Sequence, residues 1–245
     1  MSGFAHNILS GTTTLSEITR VNNAISPSSF YGCFAYATQS GFRAFDLGVG
    51  SSFWSEVTSR WLFGIDYGRT DPRALQAIAE CENTEVRIFD GKFVVERAGF
   101  KPRRDFHPKA ALLENATSGA HALVVGSGNF SYNGLRRSVE AGAAMVTSDA
   151  FEYGQLIEPV SSVFENLWND ACPLNDIADD YEERYRELVA AKDLRQTVKA
   201  KGPIKGFWIE AGYVAKNRGS DKPGNQIFAP NGFRSFFGLK KDKKE

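Results

Sequence analysis

His107 and Lys109 stand two residues apart, Gly126-Ser127-Gly128-Asn129 begins seventeen residues after the lysine, and Glu140 follows. On a β-strand, residues two apart project from one face, so an imidazole and an ammonium there are aimed at a single anionic group while Pro108 and Ala110 face the other way. Ala111-Leu112-Leu113 and His121-Ala122-Leu123-Val124-Val125 read as short buried strands, and the second delivers Gly126 to Asn129 to a turn at its end. Such a turn offers backbone N–H groups, a hydroxyl and a carboxamide to an oxyanion.

A phosphodiester is an anion that resists attack, so its cleavage requires charge neutralisation, a positioned nucleophile and an acid for the leaving oxygen. Lys109 can neutralise non-bridging oxygens, and Ser127 and Asn129 can donate hydrogen bonds. His107 is the one nearby group suited to nucleophilic attack or to proton transfer near neutral pH. His6 and His121, the other two histidines, lie in no spacing with a further His or Cys that would form a metal site. No metal and no cofactor are expected.

The pattern formed by His107, Lys109, Glu114, Gly126, Ser127, Asn129 and Glu140 resembles the signature of the phospholipase D superfamily. Gly64-Ile65-Asp66-Tyr67-Gly68, Thr70 and Pro72, followed by Ala74-Leu75, are similar to the segment preceding that motif in nuclease members, especially the restriction-endonuclease branch. The resemblance covers roughly residues 15 to 150, and its one departure is Glu114, where the family usually carries an aspartate of structural role. It implies a phosphohistidine formed on His107, Glu140 orienting the histidine through its other ring nitrogen, and Gly126 and Gly128 lining the phosphate turn. A superfamily site normally uses two His-x-Lys motifs, and this chain has one. The implied solution is a homodimer in which a second copy of His107 protonates the leaving oxygen.

The formal net charge is zero, yet residues 1–198 carry 18 Lys+Arg against 25 Asp+Glu, and residues 199–245 carry 11 against 4. Within the acidic body, Lys92, Arg97, Lys101, Arg103 and Arg104 lead up to Lys109, with Glu96 and Asp105 the only acids among them. Positive charge on the approach to His107 suits a polyanion, so Lys101, Arg103 and Arg104 are expected to meet DNA, or RNA or single strands. The three cysteines are far apart, form no Cys-x-x-Cys pair and read as small buried residues of a reducing compartment. The N-terminus lacks a signal peptide pattern, and no apolar run is long enough for a transmembrane helix. The expectation is a cytoplasmic protein without a membrane partner.

Around these residues the sequence alternates strands and helices. Helices are predicted over Leu15 to Asn23, with Thr13 or Thr14 as cap, over Thr38 to Leu47, and from Asp71-Pro72-Arg73, where aspartate caps and proline takes the first helical position. Strands are predicted at Ser29 to Tyr36, Arg60 to Asp66, Glu85 to Phe89 and Val139 to Thr147. This is an α/β sandwich with a mixed sheet flanked by helices, the fold that the resemblance also implies. Two helices follow, Phe151 to Trp168 and Ile177 to Val198; Ile177, Tyr181, Tyr185 and Leu188 recur at helical spacing as packing residues, with Glu182 and Arg186 as an i,i+4 pair.

The expected division is a catalytic domain over residues 1–200 and a basic arm over residues 201–245. Phe207 to Glu210 and Gln226 to Phe228 read as short strands in that arm. The run from Gly224 to Pro230, ending in Phe236-Phe237-Gly238, is similar to a segment of restriction-like members where target recognition begins. The expectation is an arm packed on the catalytic body, or the remnant of a recognition domain whose recognition part is missing or supplied by a partner protein. The leading functional reading is a metal-independent phosphodiesterase, a DNA endonuclease of restriction or antiphage defence type. A phospholipase or phosphatidyl transferase is disfavoured by the lack of a membrane-inserting segment. A catalytically silent nucleic-acid-binding subunit is disfavoured by the intact motif.

Overall fold

The computed structural model describes residues 2–5 and 12–197. The expected boundary at residue 200, the basic arm and its two strands lie outside the described residues.

The described residues build one sheet of eight strands in the order β1-β7-β6-β5-β2-β3-β4-β8. They are β1 (Ser2–Ala5), β2 (Ser29–Phe34), β3 (Thr58–Phe63), β4 (Thr84–Ile88), β5 (Lys109–Asn115), β6 (Ala120–Gly126), β7 (Ala141–Thr147) and the short β8 (Cys172–Pro173). β2, β3 and β4 run parallel, and every other pairing is antiparallel. Parallel neighbours need crossovers. α2 (Gln39–Val49) and α3 (Ser52–Glu56) supply the first, and α4 (Pro72–Ala79) the second.

Residue period decides which face each side chain joins. Phe30 and Phe34 of β2, Trp61 and Phe63 of β3, Ala111 and Leu113 of β5, and Ala122 and Val124 of β6 share one core with α2 to α4 and with α1 (Thr14–Ile25). α5 (Gly91–Val95) and the start of α8 (Ala178–Thr197) join the same core through Val94, Val95 and Tyr181. The intervening residues Tyr31, Cys33, Leu62, Ala110, Leu112 and Leu123 form the core of the opposite face, beneath Phe164 and Trp168 of α7 (Glu158–Asp170). Helices on both faces of a mixed sheet are the α/β sandwich expected from the sequence.

Helix starts fall where capping chemistry places them. Thr13 and Ser16 form a reciprocal capping box at α1, Thr38 accepts the Gly41 N–H at α2, and Asp71 caps α4 with Pro72 in the first turn. The helix expected from Phe151 is three stretches: α6 (Ala150–Glu152), a wide π-type turn over Tyr153–Ile157, and α7. Pro159 opens α7 without an N–H to donate, and the wide turn accommodates that loss. The strand expected to run to Asp66 stops at Phe63, because Asp66 turns into a 3₁₀ segment with Tyr67 at φ 58°. Tyr181 is buried, Tyr185 and Leu188 pack on the core, and Glu182 pairs with Arg186 at 3.8 Å, as their helical spacing predicts. Cys33 is buried and Cys81 and Cys172 half-buried, all three as free thiols.

Gly32 sits where β2 passes under Trp61: a Cβ there would lie 2.5 Å from the indole Cε3 and 2.7 Å from Cζ3. Trp61 is fully buried among Phe30, Phe45, Phe63 and Phe130 and has nowhere to go. Gly32→Ala is expected to cost about 1–3 kcal/mol through overpacking. Urea unfolding measures it; an unchanged midpoint would show that the indole has room.

Candidate active site

Four strand ends meet at one edge of the sheet: the C-terminal ends of β2 and β6 and the N-terminal ends of β5 and β7. Lys109, the first residue of β5, pairs with Phe34, and the Ala35 N–H donates to Pro108 O at 2.8 Å, which fixes the peptide between His107 and Lys109. His107 itself precedes the strand. The two side chains nonetheless converge, since Lys109 Nζ lies 2.9 Å from His107 Nδ1 and 2.8 Å from the His107 carbonyl oxygen. His107 is exposed, whereas Lys109 is 9 % exposed, so the charge sits at the floor and the imidazole at the mouth.

Burial pushes the Lys109 ammonium below the usual lysine range, and the negative charge of Glu140 acts in the opposite sense. An ammonium has donors only, so with Lys109 charged it is His107 Nδ1 that accepts; a neutral imidazole then carries its proton on Nε2. In that tautomer Nε2 has no free lone pair. Nucleophilic use of Nε2 therefore requires Nδ1 to give up the lysine and hold the proton against an acceptor.

The carboxylate expected to be that acceptor is engaged elsewhere. Glu140 accepts the Ser127 hydroxyl, and Ser127 Oγ accepts the Ala141 N–H at 3.0 Å. Within one chain, then, Glu140 braces the turn after β6 and acts on Lys109 through its charge, and the His107 Nδ1 contact is Lys109. Ser127 and Glu140 join the two ends of the Gly126–Glu140 excursion, which explains why serine stands at this turn position.

The turn itself is backbone packed on backbone. A Cβ on Gly128 would lie 2.3 Å from Gly134 O, and one on Gly134 would lie 2.4 Å from Asn129 O. Asn129 is half-buried with its side-chain oxygen enclosed and unpartnered, and its NH₂ group makes no hydrogen bond among the described residues. That donor pair is uncommitted beside the strand ends. Gly126 ends β6 opposite Gly142, one step past the Ala110–Val125 pair, and so adjoins Lys109.

The remaining expected residues divide. Lys101 and Arg104 are exposed and form no ion pair among the described residues, so both are uncommitted in the segment that leads to His107 in sequence. Arg103 is partly committed, 3.7 Å from Asp90 and over the Phe93 ring at 3.9 Å. Lys92 pairs with Asp176. Glu114 lies near the far end of β5, exposed; its carbonyl accepts the Ser28 N–H at 2.7 Å, and its carboxylate makes no ion pair among the described residues. Among the described residues no three His, Cys, Asp or Glu side chains form a metal-ligand group, and no helix is long and apolar enough to cross a membrane.

One positioning residue had no role assigned from sequence. Asp66 is 7 % exposed and accepts the Phe106 N–H at 2.9 Å, holding the residue before His107, while its other carboxyl oxygen is buried without a partner. Burial raises its pKa, against the lowering effect of that hydrogen bond. An Asp in a glycine-flanked segment after an apolar strand was the available signal.

No family model and no curated relative matches the chain. Among solved structures it is similar to NucT from Helicobacter pylori, at 14% identity over 65% of this chain and 92% of that one, with a TM-score of 0.46. It is also similar to Nuc from Salmonella typhimurium, a phospholipase D family member, at 16% identity over 65% and 87%, with a TM-score of 0.42. Phosphatidylserine synthase from Haemophilus influenzae Rd KW20 aligns at 10% identity over 69% of this chain and 41% of that one, with a TM-score of 0.38.

Two outcomes are expected from this geometry. Because the folded-state pKa of Lys109 is depressed, its ammonium is lost at lower pH than a free lysine's. Turnover that relies on the cation should fall, as pH rises, before the ordinary lysine range is reached, and Lys109→Arg should move that alkaline limb upward; a pH profile of kcat/KM checks this. Asp66→Ala strands the buried Phe106 N–H and should cost about 1–3 kcal/mol together with activity, while Asp66→Asn keeps an acceptor and holds both near wild type. Since the folded Asp66 pKa is raised, the stability tied to its neutral form is full below the ordinary aspartate range and is lost as pH rises through the folded value. Asp66→Asn should flatten that dependence in urea unfolding across acid pH.

Proposed function

We propose that this chain is a phosphodiesterase of the phospholipase D type, acting as a DNA endonuclease through a covalent phosphohistidine. The observation that carries the reading is the pairing of an exposed imidazole with a nearly buried ammonium, 2.9 Å apart, beside the uncommitted amide of Asn129. Lys109 and the Asn129 NH₂ group clamp the non-bridging oxygens in place of a metal. His107 attacks phosphorus, the P–N bond forms as the P–O bond to the leaving nucleotide breaks, and an imidazolium protonates the departing oxygen. Water then attacks phosphorus, its proton passes to the imidazole just deprotonated, and the P–N bond breaks.

The proton inventory supports a homodimer. The imidazolium must be a second histidine, and the attacking ring needs a carboxylate for its Nδ1–H that the described residues of its own chain do not present. Two copies about a two-fold axis supply both, with Glu140 of one copy facing His107 of the other. A restriction or antiphage role, with a partner protein providing target recognition, rests on the resemblance to the restriction-endonuclease branch. Phosphatidyl transfer is the second reading that the same motif serves.

Incubation with plasmid and single-stranded DNA in EDTA tests the proposal. Cleavage is expected to persist, and His107→Ala is expected to lose it by about 10³-fold or more. Cleavage abolished by chelation and restored by Mg²⁺ would reject the charge clamp. Full activity of mixed assemblies pairing wild-type with His107→Ala chains would reject the shared site.

A further inference from the structure

Beside the active-site edge lies a cavity of about 510 Å³ that the mechanism does not use, walled by Thr38, Gln39, Arg43 and Leu47 of the α2 region and by Tyr132 and Arg136 of the segment after Asn129. Its two walls are tied to the site by the backbone. The Thr38 N–H donates to Phe130 O at 2.9 Å, and the Phe130 N–H donates to Tyr36 O at 3.2 Å, one residue beyond the Ala35 N–H that holds Pro108. Tyr132 follows Asn129 by three residues, at most about 11 Å of chain. The cavity therefore continues the surface on which a scissile phosphate would sit.

Its chemistry is specific. Arg43 and Arg136 are exposed and neither forms an ion pair among the described residues. The acid on the wall, Asp71, is engaged by Arg73 through its backbone N–H at 3.0 Å and its guanidinium at 3.1 Å. Tyr132 is 47 % exposed and Leu47 80 %. Two free guanidinium groups and an uncovered ring match the combination that binds single-stranded nucleic acid, phosphates on the cations and a base on the ring. A duplex keeps its bases inside the stack, out of reach of such a ring.

We infer that this cavity is a subsite for an unpaired nucleotide flanking the cleaved phosphate, with Arg43 and Arg136 on its phosphates and Tyr132 stacked against its base. The inference rests on the nuclease reading and sharpens it, making single-stranded polynucleotide the preferred substrate. No contact to a 2′ position is assigned, so DNA and RNA oligonucleotides of one sequence are both used as probes.

The experiment is fluorescence anisotropy with labelled single-stranded oligonucleotides, in full-length chain carrying His107→Ala so that the probe stays intact. Arg43→Ala with Arg136→Ala should weaken binding and lower the slope of log affinity against log salt by about 1.4, two contacts at about 0.7 each. Tyr132→Ala should weaken binding about tenfold and Tyr132→Trp should retain it, with thermal unfolding unchanged in each, since all three residues are exposed. If His107→Ala chain binds the oligonucleotides and these substitutions change neither affinity nor slope, the subsite is rejected and the nuclease reading stands. If that chain binds no nucleic acid at all, both fall. Phosphatidylglycerol vesicles released by the same substitutions, with oligonucleotide binding untouched, would overturn the subsite in favour of a lipid.

Discussion

The antiparallel pairing of β2 with β5 is the seam on which this molecule turns. On one side lie β3 and β4, laid parallel to β2 through helical crossovers; on the other lie β6, β7 and β1, joined antiparallel. A purely parallel sheet would carry all its C-terminal strand ends to one edge. The seam sets β5 against β2, so that the exit of β2 and the entry of β5 share an edge and the Ala35 N–H can hold Pro108. Everything that orients Lys109, from its pairing with Phe34 to the contact with His107, follows from that reversal.

Electrostatically the site is assembled from partial burial. A fully exposed lysine would keep its hydration and a fully buried one its neutrality; Lys109 lies between, with one imidazole nitrogen and one carbonyl as partners and Glu140 countering its desolvation. Those partners are replaceable by phosphate oxygens of greater negative charge. Asn129 is the complement, an amide whose oxygen is enclosed and whose donors await an acceptor. Stabilisation of an anion is thereby stored as incompletely satisfied donors.

Most of the fold was readable because local signals agreed with the sheet period. Thr13, Thr38 and Asp71 each cap the helix that the following apolar spacing predicts, and the alternation in β2 and β5 sorts their residues between two cores. The site was readable in its residues and less so in its pairings. That Ser127, and not His107, receives Glu140 depends on how the fifteen-residue excursion from Gly126 to Glu140 closes on itself, and long-range closure leaves no mark at fixed spacing. The Asp66 bond to Phe106 spans forty residues and was hidden for the same reason. The strand end at Phe63 was missed because the backbone turn at Tyr67 overrode an apolar run, and the strand start at Lys109 because Pro108 has no N–H to give to the ladder.

The glycines of the Gly126–Gly134 turn region carry a consequence for how such a protein diverges. Gly128 and Gly134 bring main chain onto main chain at distances that exclude even a methyl group, so their geometry cannot be adjusted by exchanging side chains. Sequence drift at these points is closed off. On either side of Gly134, Tyr132 and Arg136 stand exposed, and across the cavity Arg43 and Leu47 are exposed as well. The molecule thus separates a turn whose geometry side chains cannot adjust from a wall of exposed side chains that can be exchanged at little cost to folding, and it is along that wall that related chains could acquire different preferences on one scaffold.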